Sequence, residues 1–362
     1  MTGAASSGQI AIRLATAADQ PALIEFLRDH WSPHHIFVAA PEVFDWQYGA
    51  SATRLNMIFA SNGNTVFGVL GFIPMGRFDP ALGDTDILLA VWKTRKDAPP
   101  GLGLQLLKTL AARLNPRLIG AIGITEEVKP IYRALGYQLG DLHQTAIFNP
   151  ARPTQRIAAG VPDAAFSDEP ASGTGWSLSP LDAEAVSALG PVLDRLASGS
   201  LPAKSAAYVA ARYLQHPWYE YRFGLISRDG TPEALCIWRQ VEAEGASILR
   251  IVDIVGGTDW LAAGRALLQP VLMDCGADYI DLMQIGTPAE VLAEGGWLSA
   301  AEVPGLVLPN YFAPFERRTV TIACAWKLRA QSGVPLRLYR ADSDQDRPNA
   351  LPLPRRADLA GL

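Results

Sequence analysis

Cysteine is scarce: Cys236, Cys275 and Cys324 are the only three in 362 residues, odd in number and far apart. That excludes a disulfide framework, and because each lies in an apolar stretch each reads as a buried thiol. Histidine is as sparse, with His30, His34, His35, His143 and His216. No Cys and His grouping has zinc-site spacing, so no metal is expected. Dense Lys/Arg runs are missing and the formal net charge is −5, which leaves binding to nucleic acid by counterion release without electrostatic footing. No segment holds ~18 uninterrupted apolar residues. The opening MTGAASSGQIAIR lacks a basic stretch followed by an apolar one. Neither a membrane span nor a secretory leader is expected, and the chain reads as cytoplasmic.

What is present is the balance of a globular protein, with 49% apolar and 19% charged residues. At 362 residues two cores are expected rather than one. Residues 151–175 are rich in Pro, Ala, Ser, Gly and Asp without hydrophobic period, which reads as a linker. The expected organisation is a domain over 1–150, the linker 151–175, a second domain over 176–332, and an extended tail over 333–362.

Before the linker, IAIRLAT reads as a strand and Asp19 as the N-cap of a helix with Leu23, Ile24 and Leu27 on one face. RLNMIFAS and NTVFGVLGFIPM form a hairpin, followed by the strand DILLAVWKT, the loop KDAPPGLG, the helix LQLLKTLAARL and the strand RLIGAIGIT. The helix EEVKPIYRALGY and the run QTAIFN close this half. After the linker a similar order returns, with a helical stretch after Pro180, the strands YRFGLISR, ALCIWRQV and ILRIVDIVG, a helix from Trp260, the strand YIDLMQIG and the helix PAEVLAEGGW. This is a repeat of architecture rather than of residues.

A helix that starts directly after a Gly-containing turn offers unpaired N–H groups and the positive end of its dipole to an anion, and Gly101 and Gly103 hold that place. A lone G-x-G more often serves only a turn. From Asp86 to Tyr137 the order is strand, Gly-x-Gly loop, helix, strand and a helix ending Tyr-x-x-x-Gly-aromatic. That order resembles the GNAT (GCN5-related) N-acetyltransferase family.

The resemblance implies an α/β protein of tandem GNAT-like domains, each a mostly antiparallel mixed sheet flanked by helices, with acetyl-CoA as cosubstrate. It implies that the amides of Leu102, Gly103 and Leu104, in the loop opened by Gly101, hold the CoA pyrophosphate. It also implies that the fourth-strand amides near Ala90 and Val91 hold the thioester carbonyl, and that Tyr132 protonates the leaving thiolate. The chain departs from the family pattern at Ala98, where Arg or Gln normally stands, at Pro99 and Pro100, which carry no N–H, and at Thr125 in place of Asn.

Acyl transfer to an amine also needs a base. His34 and His35 lead the candidates, ahead of Glu42, Asp86, Lys93, Glu126 and Glu127, because the loop SPHHIFVAAPEVFDWQY sets both imidazoles beside Glu42, Asp45 and Trp46. Aromatic faces with carboxylates suit an amino sugar. Core packing by Phe37, Phe44, Trp46 and Tyr48 is an equal reading of that loop. The composite of HHIFV, FDWQY and GVLGFIP also resembles acetyltransferases of bacterial surface-polysaccharide synthesis, which implies a nucleotide-linked amino-sugar acceptor.

In the second half IVGGTDW stands where a phosphate loop would, with adjacent glycines Gly256 and Gly257, so CoA binding is not expected there. RYLQHPWYEY and LPNYFAPFERR, with Arg212, His216, Tyr219, Tyr221, Asn310, Tyr311 and Arg317, read as a recognition surface. The tail motif DSDQDRPN is either solvated or folded back, with Asp342, Asp344 and Asp346 on a cationic group of the acceptor and Arg347 on a phosphate. Competing readings are an aminoacyl or peptidyl transferase of cell-wall type, opposed by the missing basic stripe, and a non-catalytic acyl-CoA-binding scaffold. The oligomeric state is open.

Overall fold

The computed structural model describes residues 9–51, 53–63, 65–167, 175–329 and 333–348. The chain divides into two compact units. One takes the chain up to Ala121 and a returning stretch that starts at Trp326; the other takes Ile122–Ala325 and the chain up to Arg347.

The first unit begins with β1 (Ala11–Thr16), α1 (Gln20–His30), α2 (Ile36–Ala39) and α3 (Pro41–Tyr48). It continues through β2 (Arg54–Asn62), β3 (Thr65–Pro74), β4 (Asp86–Thr94), α4 (Leu102–Leu114) and the start of β5 (Leu118–Ile124). β1 to β4 form an antiparallel meander, and α4 is the crossover that returns β5 parallel to β4. α4 has no Pro or internal Gly beyond its first turn, and its apolar spacing of three to five puts Leu102, Leu106, Leu107 and Leu110 on one buried face. Each fully buried leucine there contributes about 2 kcal/mol.

Two local expectations are corrected. Asp19 does not cap α1 with its side chain; its carboxylate takes Arg13 at 2.7 Å and the Thr16 N–H at 2.7 Å, closing a 3-10 turn ahead of the helix. The segment SPHHIFVAAPEVFDWQY is not a loop but contains α2 and α3, with Pro41 preset for a first helical position.

The chain continues with α5 (Lys129–Ala134), β6 (Gln138–Asp141), β7 (His143–Phe148), β8 (Trp176–Leu181), α6 (Ala183–Ala188), α7 (Gly190–Ala197) and α8 (Ala206–Val209). Next come β9 (Arg222–Arg228), β10 (Thr231–Ala243), β11 (Ala246–Gly256), α9 (Gly264–Cys275), β12 (Tyr279–Ile285) and α10 (Ala289–Glu294). The last are β13 (Leu298–Ser299), β14 (Tyr311–Phe312), β15 (Phe315–Glu316), β16 (Ala323–Leu328) and β17 (Leu338–Tyr339). One sheet has the order β1-β2-β3-β4-β5-β16-β6 and the other β13-β7-β12-β11-β10-β9-β8, with β17 added on β12.

The two orders match strand for strand, except that each sheet takes one strand from the other half of the sequence: β16 lies between β5 and β6, and β7 between β12 and β13. β7, read from the sequence as the end of the first domain, pairs with β12 from Tyr279 to Gln284. Both faces of β7 are buried from Gln144 onward, polar Gln144 and Thr145 included, so the strand has no alternation to tell which sheet it enters. The compact units accordingly part at Ala121 rather than within 151–175. Of that expected linker, 168–174 lie outside the described residues, and Ile157, Ala158 and Ala165 are buried in a satellite core. The main core of the second unit packs α9 on the sheet around Trp260, Leu268 and Leu272. Among the described residues no helix is long and apolar enough to cross a membrane.

Candidate functional site

In the first unit, β4 is irregular at one point. Leu70 faces Trp92 and Phe72 faces Leu89, so Gly71 alone lies opposite both Ala90 and Val91. This is a β-bulge, which bends its strand and re-aims two peptide groups. The parallel pairing of β4 with β5 runs from Asp86–Leu118 to Leu89–Ala121 and ends where the bulge begins. Tyr48, at the end of α3, lies over this point. A Cβ at Gly71 would stand 2.8 Å from its ring, and the Val91 N–H donates to the Tyr48 hydroxyl at 3.5 Å, the long limit of a hydrogen bond. The Val91 amide assigned by resemblance to a thioester oxygen is thus directed at a side chain of its own unit.

Gly101 precedes α4 with φ +81°, a conformation that a Cβ penalises. The Leu102 N–H, expected to hold phosphate, donates instead to the Pro99 carbonyl at 3.2 Å. Gly103 and Leu104 follow in the first turn, where helix geometry provides no intrahelical acceptor. A Cβ at Gly103 would meet Nε1 of Trp92 at 3.3 Å, so this glycine lets the β4 indole lie along the start of α4. Trp92 and Tyr48 carried no sequence signal as site residues, because aromatic residues in apolar runs look like core.

Several candidate bases are committed elsewhere. Asp86 is buried and both its oxygens accept from Arg117, at 2.9 and 2.5 Å. Glu126 pairs with Lys129 at 2.6 Å, and a hydrogen bond from Thr125 holds Glu127 below its usual range. Lys93 sets its ammonium 5.8 Å from the Trp31 ring centre. Nδ1 of His35 accepts the Phe37 N–H at 3.3 Å and caps α2, while its ring packs against Trp31 and Phe37. That bond occupies the basic lone pair of the neutral ring, so His35 does not fit the base role assigned to it. His34 is exposed.

On α3, Glu42 and Trp46 are half-buried, with the indole 5.2 Å from Phe78. Asp45 is exposed and accepts from Gln20 Nε2 at 2.7 Å. Phe37, Phe44 and Tyr48 close on one another with centroids 5.3 to 5.6 Å apart. The segment therefore supplies core rings and keeps one indole and two carboxylates toward its rim.

In the second unit, Tyr132 on α5 is buried with its ring 5.0 Å from Tyr137. Burial, with Tyr137 adding, raises its hydroxyl pKa well above the usual value, so it stays protonated. The tail through Pro348 is folded rather than solvated. Asp344 pairs with Arg347 at 3.3 Å, and Asp346 is fully buried, taking Arg239 Nε at 2.7 Å and the Tyr221 hydroxyl at 2.8 Å. The expectation that Asp344, Asp346 and Arg347 meet an acceptor is corrected to this extent: they pair within the chain. Asn349 lies outside the described residues.

The segments read as a recognition surface are largely interior. Arg212 donates to the Ala341 carbonyl, His216 Nδ1 accepts from the Trp218 and Tyr219 N–H groups, and Asn310 is fully buried. The Gly257 N–H is spent on the Glu233 carbonyl at 2.9 Å. Cys236 and Cys324 are buried as expected, the latter with its thiol pushed up to about 12 by burial, but Cys275 is only half-buried.

No family model matches the sequence, and no curated protein does. Among solved structures, the chain is similar to a GCN5-related N-acetyltransferase from Anabaena variabilis, with TM-score 0.54 and 14% identity over 88% of this chain and 73% of that one. A GCN5-related N-acetyltransferase from Kribbella flavida gives TM-score 0.54 and 13% identity over 90% and 72%. A probable N-acyltransferase from Enterococcus faecalis gives 0.50 and 9% over 87% and 72%. The chain has the mixed α/β fold of these proteins, with mixed sheets flanked by helices.

Proposed function

We propose that the chain is an N-acetyltransferase that takes acetyl-CoA at its first sheet. The observation that carries this reading is the β4 bulge at Ala90–Val91, set where parallel pairing stops and followed by the Gly101-led start of α4. A pyrophosphate fits that start: Gly103 and Leu104 offer first-turn N–H groups and the helix dipole adds partial positive charge. With Leu102 committed to Pro99, and with Pro99 and Pro100 lacking N–H, two donors carry the contact rather than three.

Acetyl-CoA supplies the activated acyl group. The acceptor amine attacks its carbonyl carbon, a C–N bond forms, the C–S bond breaks, and the proton shed by nitrogen must be collected while the thiolate gains one. The bulge amides at Ala90 and Val91 are the groups assigned to the carbonyl oxygen, and because the Val91 N–H is directed at the Tyr48 hydroxyl, that amide must turn from the hydroxyl to serve. Tyr132 is assigned the thiolate proton, a role its protonated state supports. His34 is assigned the amine proton, since His35 is committed as a cap. Attack is direct, because no cysteine precedes Cys236, and Cys324, which β16 brings into the first sheet, is buried with its thiol pushed up to about 12, so it offers no ready thiolate for an acyl-thioester intermediate.

The acceptor is an amino sugar, nucleotide-linked and destined for surface polysaccharide. Its support is the resemblance of the α2–α3 segment and the half-buried Trp46 with Glu42 and Asp45 on the same short helix. Calorimetric titration with acetyl-CoA, followed by thiol release against a panel of amino sugars with and without a nucleotide, tests both levels. Sugar-dependent release supports the whole reading. Release with other amines only removes the acceptor assignment, and no CoA binding removes the transferase.

A further inference from the structure

We propose that the second sheet's counterpart of the acyl-donor cleft is closed by the chain's own segment 335–346, so that it admits no CoA. The two sheets match at the relevant strands. β11 pairs parallel with β12 over Leu249–Ile280 to Ile251–Leu282 and then stops, as β4 stops after Leu89. β11 also carries a bulge there: Ile237 faces Asp253, Trp238 faces Ile251, and Val252 is the extra residue.

In the second sheet the parting is occupied. β17 adds to β12 antiparallel, with Tyr339 facing Gln284 and Leu338 facing Ile285, and it packs on β11 as well. Leu201 exchanges both backbone bonds with this segment, its N–H to Pro335 at 2.9 Å and its carbonyl to the Arg337 N–H at 2.8 Å. Gly286 leaves no room for a side chain, since a Cβ there would meet the Leu336 carbonyl at 2.2 Å. From Leu338 to Ser343 every residue is buried.

The chemistry of the cleft is inverted too. Counting from the last parallel pair, Asp253 stands where Val91 stands in β4. A buried carboxylate at that position opposes a thioester oxygen. It is neutralised by Lys204, whose ammonium lies 2.5 Å from Asp253 and 2.7 Å from Asp342, with the Tyr213 hydroxyl on the other Asp253 oxygen. Asp342 also accepts the Tyr339 N–H at 2.7 Å. One buried ammonium therefore ties the bulge of β11 to the segment that fills the cleft.

The closure stands on contacts within the second unit; its consequence, one CoA per chain, rests on the function proposed above. Hydrogen–deuterium exchange of the full chain tests the closure with no ligand. Peptides over 336–346 are expected to exchange at least about a hundredfold slower than an unstructured chain, and free-chain rates overturn the proposal. Lys204→Met is expected to remove most of that protection while peptides from β9 and β10 keep theirs. Unchanged protection removes Lys204 as the tie, and if the variant does not fold the wild-type exchange still decides. Titration with acetyl-CoA is expected to give one equivalent. Two equivalents overturn the closure, whereas none overturns the proposed function and leaves exchange to judge the cleft.

Discussion

The Tyr48 hydroxyl receives the Val91 N–H at 3.5 Å across Gly71, whose missing side chain makes room for the ring. The bulge of β4 is thus held from α3, an element read from sequence as half loop and half core. Tyr48→Phe removes a long, weak acceptor and is expected to cost about 1 kcal/mol. Gly71→Ala forces the ring away and is expected to cost about 1–3 kcal/mol. Urea denaturation of both variants checks the order. A larger loss in Tyr48→Phe than in Gly71→Ala would show that the hydroxyl rather than the close approach holds the bulge.

Gly101→Ala separates backbone from packing. Nothing lies within 4 Å of a Cβ built there, so the cost is that of φ +81° alone, about 1–2 kcal/mol. Because the strain falls at the first turn of α4, acetyl-CoA affinity is expected to fall with stability. Gly101→Asn, which tolerates the left-handed region better, is expected to recover part of both. Equal acetyl-CoA affinity in all three proteins by calorimetry would detach this turn from the cofactor.

The sequence made β1 to β5 and β9 to β12 legible to within a few residues, since alternating or continuous apolar runs broken by short Gly-containing turns at Gly63, Gly230 and Gly245 fix local structure. The start of α4 was legible from Gly101 and Gly103 for the same reason. Strand exchange was not: HQTAIF at His143–Phe148 and ACAWKL at Ala323–Leu328 carry no alternation that favours one sheet over the other, and pairing partners far apart in sequence leave no periodic trace. Nor was the fate of the acidic tail legible. Three aspartates at alternate positions look solvated until Lys204 and Arg239 are known to face them, and both cations sit in unremarkable local sequence. His35 misled because a capping imidazole and a catalytic one share the same residue type.

Tyr132 gives the direct test of the leaving-group assignment. Its buried hydroxyl stays protonated through the physiological range, so Tyr132→Phe changes neither charge nor volume appreciably. Acetyl-CoA affinity is expected to stay within about twofold while turnover falls roughly a hundredfold, within the usual range for general acid catalysis. Turnover unchanged at saturating acetyl-CoA would take the acid role from this residue.

Asp346 ties acid stability to the folded tail. Burial pushes its carboxyl up, but the charges of Arg239 and Arg212 and the hydrogen bonds from Arg239 and Tyr221 outweigh this and bring it down to about 2. The native carboxylate therefore holds its charge to lower pH than the unfolded one, so this stabilisation is complete above pH ~4 and lost as pH falls through ~2. The shift corresponds to about 2 kcal/mol. Asp346→Asn keeps the shape but leaves Arg239 without its buried counter-charge, which is expected to cost about 3–5 kcal/mol at pH 7. Denaturation of wild type and variant at pH 7 and pH 3 checks both statements together. The gap between them is expected to narrow at pH 3, and a gap that widens on acidification would mean that Asp346 is protonated in the native protein and that the tail is held by something other than this pair.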